Sequence, residues 1–315
     1  MSPDGLTTIS NVTFGAALVL YLSASVASFH FLAYRRRRVD AAGRAVALAG
    51  LAAHAISVLT RGLAAARVPW GNMYEYASVL GLVIVGVYLL VIERSWRVEA
   101  ARGFALGAAV LTMAGAIMFY VPPGPLVPAL NSYWLRIHVV LAVLASALFV
   151  LATVFTILYL VQDRRERRPS PAAVPEREHA LVGAAGERPE DYATEEAEEP
   201  TLPGAATAGR GRLPDAGELD RMAHRTVVFA FPIWTMAIIA GAIWAEQAWG
   251  RYWGWDPKEV WSFVTWVAYA GYLHARATVG WRGRRAAALA LVGFGALVFN
   301  LVVVNTVIAG LHSYA

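Results

Sequence analysis

The sequence predicts an all-α, polytopic integral membrane protein with about eight transmembrane helices and both termini outside. Composition is the first observation: 58% of the 315 residues are hydrophobic and 16% are charged, whereas soluble domains carry roughly 25% charged residues. The second is that the apolar residues form runs of about 20, the length that crosses a bilayer. The third is the distribution of basic residues between these runs, which sets the orientation.

Eight apolar segments are predicted to span the membrane: residues 12–34, 45–66, 75–93, 103–121, 136–161, 225–245, 257–276 and 286–309. The inner loops of this scheme hold 22 of the 27 lysines and arginines, which is a strong positive-inside signal. No basic region precedes the first span, so we expect an uncleaved helix rather than a signal peptide. The net charge of +5 therefore reflects orientation in the plasma membrane, and no nucleic-acid partner is predicted.

The longest connection, residues 163–224, is predicted to be a disordered acidic linker in the cytoplasm. It separates helices 1–5 (residues 1–162) from helices 6–8 (residues 225–315). Its nine basic and fourteen acidic residues accompany much Pro, Gly and Ala, a composition that buries too little apolar surface to offset chain entropy. A docking tail for a partner is the alternative, and a plain linker is favoured.

The outer segment 246–259 ends in a helix-start pattern. Asp256 is a good N-cap, Pro257 suits the first helical position, and Glu259 completes a capping box. These three residues therefore predict that a helix begins at Pro257, and they require no ligand.

The aromatic residues of the same segment need another explanation. They are Trp249, Tyr252, Trp253 and Trp255. An interfacial aromatic belt is one interpretation, and a cradle for a flat apolar ligand is the other; composition alone does not separate them. Arg251 and Lys258 are positioned to meet carboxylates at the edge of such a ligand. A porphyrin has both features, a flat apolar face and two propionates.

Two histidines are predicted to share the outer face with these aromatic residues. His138 lies just inside the fifth span, and His312 lies just past the eighth. Because neutral imidazoles are the usual ligands of haem iron, we hypothesise that this pair binds a haem on its two faces. His274, at the inner end of the seventh span, is explained either by the helix dipole or by a second ligand site.

The other histidines carry weaker signals. For His30 and His54, in the first two spans, packing and polar contacts with neighbouring helices are favoured over a ligand role. His179 and His224, in the linker or at its end, are expected to be solvated. Two polar residues of the eighth span, Asn300 and Asn305, predict interhelical hydrogen bonds.

The chain has no cysteine. This excludes a disulfide, a thiolate nucleophile and a C-x-x-C-H site for covalent haem within the chain.

The run Trp249–Ser262, Trp-Gly-Arg-Tyr-Trp-Gly-Trp-Asp-Pro-Lys-Glu-Val-Trp-Ser, closely resembles the tryptophan-rich WWD signature of haem-handling proteins. More narrowly, the chain resembles the CcsA (ResC) family of the system II cytochrome c maturation pathway, often labelled CcsB in high-GC Gram-positive bacteria. Three shorter segments agree: Pro69–Glu75 resembles the P-x-x-N-x-Y-E segment, and Tyr133–His138 and Gly310–Tyr314 resemble the segments with the two external histidines. The resemblance covers most of the chain outside the N-terminal span and the linker.

The resemblance implies specific roles. His138 and His312 would ligate the iron of haem b outside, and His274 would ligate haem within the membrane. The implied external cradle is the WWD segment, residues 246–259, with Trp249, Arg251, Tyr252, Trp253, Trp255, Asp256 and Lys258.

The implied activity is that of a haem-handling, haem-exporting subunit of a cytochrome c synthase (haem lyase) complex. It would present haem at the extracytoplasmic face to an apocytochrome c with a C-x-x-C-H segment, together with a ResB-type membrane partner. No residue of this chain is assigned a catalytic role. The alternative is a b-type electron-transfer protein with permanent haem; such proteins usually place bis-His pairs on facing helices inside the bundle.

Overall fold

The computed structural model describes residues 1–126, 130–168, 213–308 and 310. Within these ranges the chain is helical and has no strand, which confirms the predicted all-α class. The helices are α1 (Pro3–Tyr34), α2 (Arg37–Ala64), α3 (Met73–Val87), α4 (Glu93–Trp96), α5 (Arg102–Ile117), α6 (Tyr133–Glu166), α7 (Ala216–Trp249), α8 (Pro257–Ala277), α9 (Gly283–Leu301) and α10 (Val303–Thr306). A π-helical turn, Tyr88–Ile92, joins α3 to α4, and a 3-10 turn, Glu99–Ala101, precedes α5.

Seven helical segments in the described ranges are long and apolar enough to cross a membrane, as expected for a polytopic protein. Two of them combine consecutive elements: Met73–Trp96 runs from α3 through α4, and Gly283–Thr306 joins α9 to α10. The predicted seventh span, 257–276, forms α8, which has 21 residues but is not one of these seven. Charged and polar residues near its two ends make it less apolar: Lys258, Glu259, His274 and Arg276.

Helices α6 and α7 are the longest, with 34 residues each. At 1.5 Å per residue each is about 50 Å long, well beyond the ~30 Å hydrocarbon core of a bilayer. They extend into both ends of the predicted linker 163–224, because α6 ends at Glu166 and α7 begins at Ala216. Residues 169–212, including His179, lie outside the described residues, so the disorder predicted for them stays a prediction.

Two clusters of buried side chains form the interior. The larger one connects α1, α2, α3 and α5 with α6 and with both ends of α7. The smaller one connects α6 to α7, α8 and α9, and at its centre the rings of Phe149 and Tyr269 stack with centroids 3.8 Å apart. Helices α6 and α7 both contribute to the two clusters and therefore join the two halves of the bundle.

The two ends of the bundle differ in chemistry. We call one the aromatic end, because it carries the WWD segment and the first turns of α3, α6 and α8. The other, which we call the arginine-rich end, is the one that the charge distribution predicts to be cytoplasmic. Its ion pairs include the buried Arg102 with Glu93 and Asp40, the half-buried Arg276 with Asp220, and the exposed Arg284 with the buried Asp163.

Candidate functional site

An open cavity lies at the aromatic end, bounded by α3, α6, α7, α8 and the end of α9. The space between its walls, including the part open to solvent, is about 1230 Å³. Four of the predicted site residues line it: His138, Tyr252, Trp253 and Lys258. The cavity therefore brings the first external histidine together with part of the WWD segment.

His138, in the second turn of α6, is held by a neighbouring helix. Its Nδ1 lies 2.7 Å from the carbonyl oxygen of Ala237 on α7. Because a carbonyl only accepts, Nδ1 must carry the proton, and the neutral ring then has its lone pair on Nε2. Metal-ligating histidines usually donate their other ring N–H to a carbonyl or carboxylate in this way.

The close approach of His138 to α7 depends on a glycine. A Cβ at Gly241 would lie 2.7 Å from His138 Nδ1 and 2.9 Å from its Cε1, so a larger residue has no room. On the same helix, Trp244 lies nearly parallel to the imidazole, with centroids 6.4 Å apart and an interplanar angle of 18°. Together Gly241 and Trp244 fix both the position and the plane of the ring.

The WWD segment turns sharply between α7 and α8. Gly250 ends α7 at φ 69°, and Trp255 has φ 58°, a left-handed conformation that is a genuine outlier for a bulky residue. Trp255 is also 70% exposed, and its ring meets that of Trp253 edge-on at 5.9 Å. Strain of this kind persists only where the surroundings impose it, and such residues cluster at functional sites.

The Glu259 carboxylate holds this turn in place through two hydrogen bonds. Its Oε2 accepts hydrogen bonds from the backbone N–H groups of Gly254 (2.7 Å) and Asp256 (3.2 Å). With the Asp256 side chain accepting in return, this is the predicted capping box at the start of α8. Glu259 Oε1 is buried at the cavity and has no hydrogen-bond partner among the described residues.

Arg251 packs back onto the turn that follows it. The Arg251 guanidinium occupies the place that a Cβ at Gly254 would take. Arg251 is thus half-buried against the segment backbone and does not line the cavity.

The segment Pro69–Glu75 forms the opposite wall, and its polar residues have structural roles. Asn72 caps α3 by accepting from the Glu75 N–H at 2.9 Å. The Glu75 carboxylate is buried and bonded to the guanidinium groups of Arg61 (2.9 Å) and Arg67 (2.7 Å) and to the Gly71 N–H (2.7 Å). This network fixes the chain that carries Trp70 and Tyr76 into the cavity wall.

Lys258 reaches across the cavity to the last helical turns. Its Nζ donates to Asn305 Oδ1 at 2.9 Å and to the carbonyl oxygen of Asn300 at 3.3 Å. Asn300 in turn donates to Ser262 Oγ on α8 at 3.0 Å. The prediction that both asparagines form interhelical hydrogen bonds is therefore confirmed.

Several predicted residues lie outside the cavity lining. Trp249 packs against the larger core cluster, with its ring 4.8 Å from that of Trp244. Asp256 is buried as the N-cap of α8, and Trp255 projects outward. His274 lies in the last turn of α8, exposed, at the arginine-rich end and remote from His138.

The second external histidine, His312, lies outside the described residues. The chain that leads to it is described as far as Gly310, where an added Cβ would lie 2.8 Å from Asp256 Oδ2. Gly310 thus packs directly against the N-cap of α8, beside the WWD segment.

The three remaining described histidines are partly or fully buried. His54 is fully buried, with Nε2 3.2 Å from Ser78 Oγ, as expected for packing with polar contacts. His30 lies 4.6 Å from the Tyr34 ring. The expectation of a solvated His224 is wrong: it lies within α7, half-buried, with its ring 5.9 Å from that of Tyr272.

Sequence reasoning assigned no site role to several residues that line the cavity, among them Gly241, Ala237, Trp234, Trp244 and Trp70. Nothing in the local sequence separates Gly241 from the many other glycines of the spans. Trp70 and Trp234 carry the same aromatic signal as the WWD segment but are isolated in sequence.

Comparison with known proteins identifies relatives along nearly the whole chain. The family model described as "Cytochrome C assembly protein" matches residues 12–312. The cytochrome c biogenesis protein CcsA of Gloeobacter violaceus is 36% identical over 296 residues, covering 84% of this chain and 86% of that protein. That of Parasynechococcus marenigrum is 33% identical over 313 residues, covering 97% and 96%.

Among solved structures, the cytochrome c haem lyase CcmF has a similar fold. It superposes with a TM-score of 0.66 at 16% identity, over 96% of this chain and 47% of its own length. This chain therefore spans about half of that larger protein, and at this identity the similarity concerns the fold alone.

Proposed function

This chain belongs to the cytochrome c assembly protein family, and on that premise we propose that it is a haem-handling subunit of a system II cytochrome c synthase. Haem b is the cargo, presented at the aromatic end to an apocytochrome c. The single observation that carries the proposal is the geometry of His138: it lines an open aromatic cavity with Nδ1 bonded to Ala237, which leaves the lone pair on Nε2.

The residues around the cavity fit a porphyrin. Its wall is largely apolar and aromatic, with Tyr252 and Trp253 from the WWD segment on one side and Trp70 on the other. Such faces suit a flat apolar ring. At the polar side, the Lys258 ammonium is the cation best placed for a propionate, because its two acceptors, Asn300 and Asn305, are both neutral.

We propose His312 as the second iron ligand. Gly310 packs against Asp256 at the base of the WWD segment, and two further residues extend a chain by up to about 7 Å. Gly310, the last described residue before His312, therefore lies beside the WWD segment.

The division of labour follows from the residues present. The chain has no cysteine, so the two thiols that add to the haem vinyl groups must come from the C-x-x-C-H segment of the apocytochrome. What this chain contributes is position: it fixes the imidazole, the aromatic cradle and the cation around the cargo, and exact placement contributes greatly to rate. His274 is exposed in the last turn of α8, so a membrane haem held there would need its second ligand from elsewhere; we propose a ResB-type partner in the plasma membrane.

The test is the visible spectrum of the purified protein and the maturation of a reporter cytochrome c. His138→Ala should remove most of the external haem signal and abolish maturation. His30→Gln is the matched control, since it alters a half-buried histidine of α1 away from the cavity and should leave both readouts unchanged. Normal maturation by His138→Ala would refute the proposal. Full haem stoichiometry in the wild type with reversible cycling by quinol would favour an electron-transfer protein instead.

A further inference from the structure

A second concave site lies at the arginine-rich end, where the α8–α9 turn meets the C-terminal end of α6. The space between its lining residues, which is largely open to solvent, is about 840 Å³. Four exposed arginines line it, Arg167, Arg282, Arg284 and Arg285, together with Tyr159 and Trp281. Neither the cavity at the aromatic end nor the proposed haem chemistry uses these residues.

The positive charge of the arginines at this site exceeds the negative charge of the residues that contact them. Asp163 Oδ1 accepts from Arg167 Nε at 2.8 Å, and its Oδ2 accepts from Arg284 Nε at 2.7 Å. One carboxylate therefore orients two guanidinium groups. Within the described ranges no residue accepts from the terminal nitrogens of either arginine, and Arg282 and Arg285 have no ion pair. Four guanidinium groups against one carboxylate favour an anionic ligand.

The backbone of the turn supports the same chemistry. Helix α9 has 19 residues, and its N-cap, Arg282, makes no side-chain capping bond. The first-turn N–H groups of α9 therefore add a partial positive charge at the same place. Gly283 has φ 65°, and an added Cβ there would lie 2.9 Å from the Tyr159 hydroxyl. The turn is thus fitted closely against α6 rather than being a loose loop.

The surroundings of the site indicate where its ligand comes from. It lies at the ends of α6 and α9, two of the helices that are apolar enough to span a membrane. Trp281 is half-buried, and the adjacent Val279 is 63% exposed. An indole and an exposed apolar residue beside a cluster of arginines are typical of the interface between headgroups and acyl chains.

We propose that this cavity, lined by Arg167, Arg282, Arg284 and Arg285, binds the phosphate headgroup of an anionic phospholipid. The phosphate lies among the guanidinium groups, and an acyl chain passes along Val279. The lipid ties the α8–α9 turn to the membrane surface.

The test measures lipid binding to the full-length protein in detergent, by native mass spectrometry, with phosphatidylglycerol and phosphatidylcholine as probes. The double variant Arg282→Gln/Arg285→Gln should bind phosphatidylglycerol about 25-fold more weakly, since one basic residue near a membrane surface contributes about fivefold. The matched control is Arg94→Gln/Arg97→Gln, which removes the same charge from two exposed arginines at the α4 turn. It should bind phosphatidylglycerol like the wild type.

Four results would overturn the proposal. The first is that the wild type binds phosphatidylglycerol and phosphatidylcholine with equal affinity, and the second is that the Arg282 and Arg285 variant binds phosphatidylglycerol as tightly as the wild type. The third is that the control variant is weakened as much as that variant. The fourth is that the wild type binds inorganic phosphate as tightly as phosphatidylglycerol. Phosphatidylglycerol binding that appears only after residues 175–210 are deleted would show that this acidic segment, and not a lipid, occupies the site in the intact chain, and would refute the proposal.

Discussion

Replacing Gly241 by alanine tests the geometry of His138 directly. The added Cβ would lie 2.7 Å from Nδ1, so the ring must retreat by about 0.7 Å to reach an ordinary contact of about 3.4 Å. A shift of that size is enough to disrupt the 2.7 Å bond to the Ala237 carbonyl. The lost hydrogen bond and the crowding cost about 1–3 kcal/mol, offset by about 1 kcal/mol of helix propensity. We therefore expect a modest loss of stability.

The loss of function should be larger than the loss of stability. A misplacement of about 1 Å costs on the order of a hundredfold in rate, so we expect cytochrome c maturation to fall at least tenfold while protein level and helicity stay near wild type. The assay combines reporter maturation, the haem spectrum and circular dichroism. Gly295→Ala is the control, because a Cβ there meets nothing within 4 Å. Wild-type maturation by Gly241→Ala would show that the position of the His138 ring does not matter.

Three further predictions concern the Glu75 network, the WWD segment and the linker. Glu75→Gln should lower the free energy of unfolding by about 3–5 kcal/mol, because it leaves Arg61 and Arg67 buried without a counter-charge; a thermal melt within 1 °C of the wild type would contradict this. Trp255→Gly should relieve the strained φ of 58° and keep protein level while lowering haem occupancy; unchanged occupancy would favour a membrane belt. Deleting residues 175–210 should leave maturation intact, and lost activity would reveal a docking role.

Features with a local signal were predictable from the sequence. The helix start at Pro257 is one, because its N-cap and its capping box lie within four residues. Asn300 and Asn305 are another, because an amide within an apolar run must find a partner on a neighbouring helix.

Features that depend on contacts between distant residues were not predictable. The Ala237 carbonyl that orients His138 is 99 residues away in sequence. The Pro69–Glu75 segment was noted as a motif, but its role as a buried network with Arg61 and Arg67 depends on the fold. The ends of α6 and α7 were not predicted either. Hydropathy marks the part of a helix that lies within the membrane, and both helices continue beyond that part.

For the proposed haem cargo, Lys258 makes binding depend on the ionisation of the propionates. The half-buried ammonium is already bonded to Asn305 Oδ1 and to the Asn300 carbonyl oxygen, so an incoming carboxylate would replace a neutral oxygen as its partner. Hydrogen bonds between ions are roughly twice as strong as neutral ones, and the exchange is favourable for an acid. A porphyrin ester offers Lys258 only another neutral oxygen, so the exchange adds nothing to its binding free energy. The cavity would therefore discriminate between a free acid and its ester of almost the same shape.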